Sequence, residues 1–175
     1  RLRLTPQRVQ VMAADIKAVA AQSDPLGVIL EKKTLPNGLK LVKTTVPLGV
    51  VAVVYESRPN VTIDSICLAI KSGNGLVLKG GHESTNSNLV LTALAKKCLR
   101  QAGLPDGAVA YLNQGRAAVA KIMAARNYID VIIPRGGAGL INFVRENSVV
   151  PVIETGAGVC HAYVDAGANL EQAAQ

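Results

Sequence analysis

The stretch Val77-Leu78-Lys79-Gly80-Gly81-His82-Glu83 ends an apolar run in one lysine, two glycines, a histidine and a glutamate. A cation at the tip of a buried strand, followed by backbone without side chains, is chemistry for an anion, and phosphate is the commonest. Taken alone, Lys79 is either a strand-end lysine reaching solvent or a donor to a ribose or a phosphate. The adjacent Gly80 and Gly81 favour the second. Arg135 precedes Gly136-Gly137 and is either an exposed loop residue or a donor fork beside a glycine-rich helix start, suited to a phosphate. Arg58-Pro59-Asn60 follows another apolar run. Pro and Asn favour a turn, and Asn60 also carries an amide donor of the kind that stabilises a developing oxyanion. On the residues alone the turn is the better reading. Glu154 is a general base or a solvated carboxylate. Cys160-His161 pairs a thiol with an imidazole, but strand neighbours point to opposite faces, so a structural role is favoured over a dyad.

The common phosphate-loop fingerprints are absent. Gly73-x-Gly75, Gly137-x-Gly139 and Gly156-x-Gly158 each lack the third glycine of G-x-G-x-x-G, and no G-x-x-x-x-G-K-[ST] occurs. Cys67, Cys98 and Cys160 are odd in number and lack CxxC spacing, which reads as reduced thiols of a cytosolic protein rather than staples or a zinc site. No metal is expected.

Composition narrows the classes. The chain has 175 residues, 49% apolar, with one Phe, four Tyr and no Trp. A core of Val, Ile, Leu and Ala favours α/β packing. Scarce aromatics argue against base-stacking nucleic-acid modules, and no Lys/Arg run exceeds two residues despite a net charge of +7. An RNA-binding domain is therefore the weakest class, and no nucleic-acid partner is expected. No apolar stretch approaches the roughly 20 residues of a membrane span.

The elements that must position these residues can be read from periodicity. Thr5 and Pro6 open a helix whose Val9, Met12, Ile16 and Val19 share a face. Asn37-Gly38 predicts a two-residue turn in a β-hairpin over 28–46. From Pro47 onward, apolar β-branched runs alternate with helical segments: strands at GVVAVVYE, GLVLK, GAVAYL, YIDVIIP and VVPVIE, with CHAYVD as a candidate sixth. Gly73 and Gly103 end two of the helices. That alternation predicts a Rossmann-like parallel sheet with helices on both faces, preceded by a helix and a hairpin. Ligands of such sheets bind beyond the carboxyl ends of the strands, where ESRPN, KGGHE, PRGGAG and ETGAG fall. Three parts are expected: a helical segment (1–27), the hairpin (28–46) and an α/β domain (47–175).

VPLGVVAVVYESRPNVTIDSICLAIKSGNGLVLKGGHES, YIDVIIPRGGAGL and VPVIETGAGVCHAYVD, with RLRLTP near the start, resemble the gamma-glutamyl phosphate reductase (glutamate-5-semialdehyde dehydrogenase) family of the aldehyde dehydrogenase superfamily. The likeness spans essentially the whole chain. It implies an NADP(H)-binding α/β domain and a homo-oligomerising hairpin in a cytoplasmic enzyme of proline biosynthesis. The reaction implied is NADPH-dependent reduction of L-glutamyl 5-phosphate to glutamate 5-semialdehyde with release of phosphate, through attack of a cysteine thiolate and a thioester. Glutamate 5-kinase is an implied partner. By position, Asn60 corresponds to the superfamily's oxyanion asparagine, Lys79 to its strand-end lysine on the adenosine ribose, and Glu83 to a neighbouring ribose-binding glutamate. Gly136 and Gly137 correspond to the turn on the pyrophosphate, and Lys79, Gly80, Gly81, Glu83, Arg135, Gly136 and Gly137 together are the expected cofactor-binding residues. The family's nucleophile stands in a PS-x-C-N motif beyond CHAYVD, and no such motif occurs in this sequence. The resemblance thus implies a central, mainly cofactor-binding piece, truncated at both ends and inactive by itself. The rival is a non-catalytic nucleotide-binding or interaction module.

Overall fold

The computed structural model describes residues 4–156 and 161–173. Helix α1 (Pro6–Ala21) begins as the sequence predicts: Thr5 Oγ1 accepts a hydrogen bond from the Arg8 amide at 3.4 Å, and Pro6 takes the first helical position. Met12 is buried and Ile16 packs on the core, whereas Val9 stays 51% exposed and does not join that face.

Strands β1 (Ile29–Thr34) and β2 (Lys40–Thr44) form an antiparallel hairpin. Its turn is longer than expected. The Leu35 amide donates to the Leu39 carbonyl at 2.8 Å, which leaves Pro36, Asn37 and Gly38 as a three-residue loop. Gly38 takes the left-handed position at φ 84°, and Asn37 Oδ1 accepts from the Leu39 amide. Three-residue hairpin loops need such a residue, so Asn37-Gly38 gives the hairpin but not the loop length. Every residue of both strands is exposed.

The second sheet is parallel, in the order β5-β4-β3-β6. Its strands are β3 (Val50–Tyr55), β4 (Gly75–Lys79), β5 (Val109–Tyr111) and β6 (Val131–Arg135). Helices α2 (Pro59–Lys71), α3 (Thr85–Gln101), α4 (Gly115–Ala124) and α5 (Ala138–Asn147) connect or follow them. Gly73 and Gly103 adopt φ of 70° and 71° just beyond α2 and α3.

Alternation along β3 explains its continuous apolar run. Val51, Val53 and Tyr55 pack with α1, α2 and α3 on one face. Ala52 and Val54 pack with Ile122 and Met123 of α4 and Val144 of α5 on the other. A strand buried on both faces has no polar positions to alternate.

The expected fifth strand reduces to a single parallel bridge between Ile132 and Val152. Pro151 has no amide to donate, and only its carbonyl and the Ile153 amide bond to Ile132. Residues 161–165 form no strand, so the candidate sixth is not seen; Cys160 lies outside the described residues. A short helix, α6 (Leu170–Ala173), follows. No helix among the described residues is long and apolar enough to cross a membrane.

Candidate functional site

The chain leaves β3 for β4 on one side and returns through α4 to β6 on the other. The carboxyl end of β3 is therefore the point where the winding reverses, and a crevice opens there in such sheets. Two clefts share the tip of β3, at Glu56 and Arg58.

The first, about 700 Å³, is lined by Lys79, Gly80, Gly81 and Glu83, with Val119 of α4 and Leu140 of α5 behind them. Lys79 pairs with Val54 in the β3–β4 register, so its side chain leaves on the α4/α5 face. Its Nζ donates to the Gly80 carbonyl at 2.6 Å. Burial pushes the Lys79 pKa down from its ordinary value, and nearby Glu83 opposes that. A partly desolvated ammonium spending one donor on its own backbone keeps two more donors. Ser57 Oγ donates to Glu83 Oε2, and that bond is the main reason the Glu83 carboxyl stays below its ordinary pKa. His82 Nδ1 lies 3.2 Å from the other Glu83 oxygen. The turn His82–Ser84, rather than α3 itself, forms this wall.

The two glycines pack closely. A Cβ on Gly80 would stand 2.4 Å from Asn88 Nδ2 and 2.9 Å from the Tyr55 ring. A Cβ on Gly81 would stand 2.6 Å from Ser57 Oγ and 2.8 Å from Glu83 Oε2. Gly80 is thus fixed by its own core, not only by room for a ligand.

The second cleft, about 620 Å³, lies between the start of α2 and α5, and Arg58, Arg135, Gly136, Gly137, Glu154 and Thr155 line it. Glu56 divides the two. Its amide donates to the Arg135 carbonyl at 3.1 Å, carrying the β3–β6 ladder one residue further. Its Oε1 accepts from the Gly137 amide at 3.0 Å, at the positive end of α5. A Cβ on Gly136 would lie 2.7 Å from that carboxylate. Sequence reasoning passed over Glu56, whose only signal was its place directly after the β3 apolar run. Arg135 pairs with Tyr55 in register and faces the α2 side, where its charge helps hold down the Asp64 pKa that burial raises. Glu154 is 3.6 Å from Arg145, and Thr155 Oγ1 donates to the Pro134 carbonyl at 2.8 Å.

Asn60 stands apart. It is an exposed residue of the first turn of α2, its Nδ2 is 3.5 Å from Asp64 Oδ2, and it lines a separate hollow against Leu4, Arg8 and Met12. Cys67 and Cys98 line an apolar groove between α1, α2 and α3, remote from both clefts. Burial, then the charge of Asp64, pushes the Cys67 thiol above its ordinary pKa, the wrong direction for a nucleophile. The Cys160-His161 pair lies partly outside the described residues. Among the described residues no group of three or more His, Cys, Asp or Glu could hold a metal ion.

The family model "Aldehyde dehydrogenase family" matches residues 4–175. Gamma-glutamyl phosphate reductase of Koribacter versatilis is 55% identical over 174 residues, covering 99% of this chain and 42% of the relative. The crystal structure of gamma-glutamyl phosphate reductase from Thermotoga maritima superposes with a TM-score of 0.88 at 39% identity, over 98% of this chain and 42% of that one. An engineered glycolyl-CoA reductase with bound NADP+ shares the fold at 16% identity and a TM-score of 0.65, over 87% of this chain and 38% of that one. The chain spans about two-fifths of the length of the curated relatives it matches. With a parallel sheet whose strand-end lysine opens onto a cleft, and with these relatives, the chain belongs to the aldehyde dehydrogenase family and is akin to its gamma-glutamyl phosphate reductases.

Proposed function

We propose that this chain is the dinucleotide-binding part of an NADPH-dependent reductase that converts L-glutamyl 5-phosphate to L-glutamate 5-semialdehyde and phosphate in proline biosynthesis. The observation that carries the reading is Lys79, projecting from the end of β4 into the first cleft, where among the described residues its Nζ hydrogen-bonds only the Gly80 carbonyl. That donor can turn to a ribose hydroxyl at the cost of one neutral acceptor. Gly80 and Gly81 bring the backbone to the cleft floor, and the Glu83 carboxylate, held by Ser57, offers an acceptor for ribose hydroxyls. At the other end Gly136 and Gly137 open α5 towards a pyrophosphate, and the Glu56 carboxylate must give way there. The donor set thus fits a dinucleotide at its ribose end directly and at its pyrophosphate end after that one side chain moves. When bound, the dinucleotide supplies the hydride. The chain's own groups bind and orient it and keep its adenosine end fixed. The acyl phosphate calls for a kinase upstream, with glutamate 5-kinase the matching partner.

Titration calorimetry with NADP and with 2′-phospho-AMP tests this reading. Lys79→Ala is expected to weaken both by about 1–3 kcal/mol, the range for a lost charge-assisted hydrogen bond. Cys98→Ala, on the far side of the sheet, is expected to bind as wild type. Equal affinity of wild type and Lys79→Ala in a folded sample would sink the assignment.

The hairpin is proposed as a self-association element. Ile29, Leu30, Leu41 and Val42 are 45–58% exposed, and a lone two-stranded ribbon is marginal in water. Light scattering is expected to show concentration-dependent dimers or larger species, and Val42→Lys is expected to shift them towards monomer. A strict monomer at high concentration would count against this role.

A further inference from the structure

The second cleft holds two guanidiniums at the ends of adjacent strands, and among the described residues neither makes a side-chain hydrogen bond or a close ion pair, Arg135 acting on Asp64 only through its charge. Arg135 closes β6 and Arg58 caps α2, three residues past the paired Tyr55. Both line the same cavity of about 620 Å³. Arg145 of α5, by contrast, is paired with Glu146 at 3.2 Å and with Glu154 at 3.6 Å. Each carboxylate near the two guanidiniums has its hydrogen bond or ion pair with another group. Glu56 accepts from the Gly137 amide, Asp64 faces Asn60, and Glu154 faces Arg145. A cleft whose two donor forks keep their N–H groups free of side-chain hydrogen bonds while its carboxylates bond elsewhere is set for an anion from outside.

We infer that Arg58 and Arg135 together seat the anionic end of the substrate, a phosphoryl group carried as an acyl phosphate, and are its positioning residues. The inference takes its substrate class from the proposed reductase reading. Lys79 and the first cleft lie on the α4/α5 face, while Arg135 faces α2. The ribose end of the cofactor and the acyl phosphate would thus meet the tip of β3 in different clefts, with Glu56 between them, while Gly136 and Gly137 bring the cofactor's pyrophosphate to the edge of the second. The same guanidinium chemistry would also hold a dinucleotide pyrophosphate, so the test separates the two sources.

Acetyl phosphate and inorganic phosphate are titrated into wild type, Arg58→Ala, Arg135→Ala and Arg135→Lys, with resonances of the arginine side chains and the Gly136 and Gly137 amides followed by NMR. NADP is titrated into the same samples by calorimetry. Acetyl phosphate is expected to bind wild type in the millimolar range and to bind each alanine variant about five- to tenfold more weakly, with Arg135→Lys intermediate. Affinity of Arg135→Ala for NADP is expected to stay within about twofold of wild type. Acetyl phosphate binding that ignores both arginines, or is absent from wild type, overturns the inference. So does a fall in NADP affinity larger than the fall in acetyl phosphate affinity, which assigns the arginines to the pyrophosphate. Arginine-dependent acetyl phosphate binding without any NADP binding upholds the seat and removes the reductase reading instead.

Discussion

Gly80→Ala is expected to lower the melting temperature by roughly 6–12 °C, corresponding to about 3 kcal/mol for a chain of this size. The new methyl would stand 2.4 Å from Asn88 Nδ2 and 2.9–3.0 Å from ring atoms of Tyr55. Neither neighbour can step aside. Asn88 is fully buried, Tyr55 is 3% exposed, and both are fixed by hydrogen bonds. The turn after β4 must therefore move, and with it the Lys79 ammonium. Gly137→Ala is the matching control. Its Cβ would meet Glu56 Oε1 at 3.6 Å, ordinary contact, at a φ of −68° that any residue adopts. It is expected to stay within about 0.5 kcal/mol of wild type. Thermal unfolding followed by circular dichroism reads both, and a Gly80→Ala protein as stable as Gly137→Ala would show that the floor of the cleft is not packed as described.

These glycines show what the sequence can and cannot disclose. Alternating apolar runs and helical segments gave the parallel sheet, because strands buried on both faces leave a continuous β-branched signature. Lys79 was legible as a candidate for a site because a charge ending such a run is anomalous. The glycine pairs were legible as special, but their cause was only half visible. Room for a ligand and room for the protein's own Asn88, Tyr55 or Glu56 look identical in one dimension. The polar stretch Ser84–Asn88 reads as helix capping, yet Ser84 makes no side-chain cap and Asn88 turns inward to the core. Glu56 carries no motif. Its importance comes from α5, 81 residues further along the chain, which supplies the Gly137 amide. The strand expected at VVPVIE failed because Pro151 and, on β6, Pro134 both lack the amides that would extend the ladder on either side of the one bridge.

Asn88→Ala is expected to cost about 2–4 kcal/mol, the range for breaking a buried polar network. Asn88 is fully buried near the start of α3, and its side chain joins four elements. Thr62 of α2 donates to its Oδ1 at 2.8 Å. Its Nδ2 donates to Ser84 Oγ at 3.1 Å and to Tyr111 of β5 at 3.3 Å. Since the Thr62 proton goes to Asn88, the Tyr55 hydroxyl from β3 must be the donor across their 2.6 Å contact. Burial pushes the Tyr55 phenol up to about 12, so that proton is present at any neutral pH. No buried side-chain nitrogen or oxygen among the described residues lacks a partner, so alanine strands groups that have nowhere else to turn. Asn88→Leu restores the lost volume without the hydrogen bonds. It is expected to recover less than half of the deficit if polar satisfaction rather than packing dominates. The network reading further requires that Thr62→Val costs less in the Asn88→Ala background than in wild type, and strictly additive costs in urea unfolding would refute it. Because Gly80 packs on both Asn88 and Tyr55, the same variant is expected to loosen the Lys79 turn and weaken NADP binding. Lys79→Ala, acting only at the cleft surface, is expected to weaken binding while leaving the urea midpoint unchanged. The two variants together separate what holds the cleft in place from what meets the ligand.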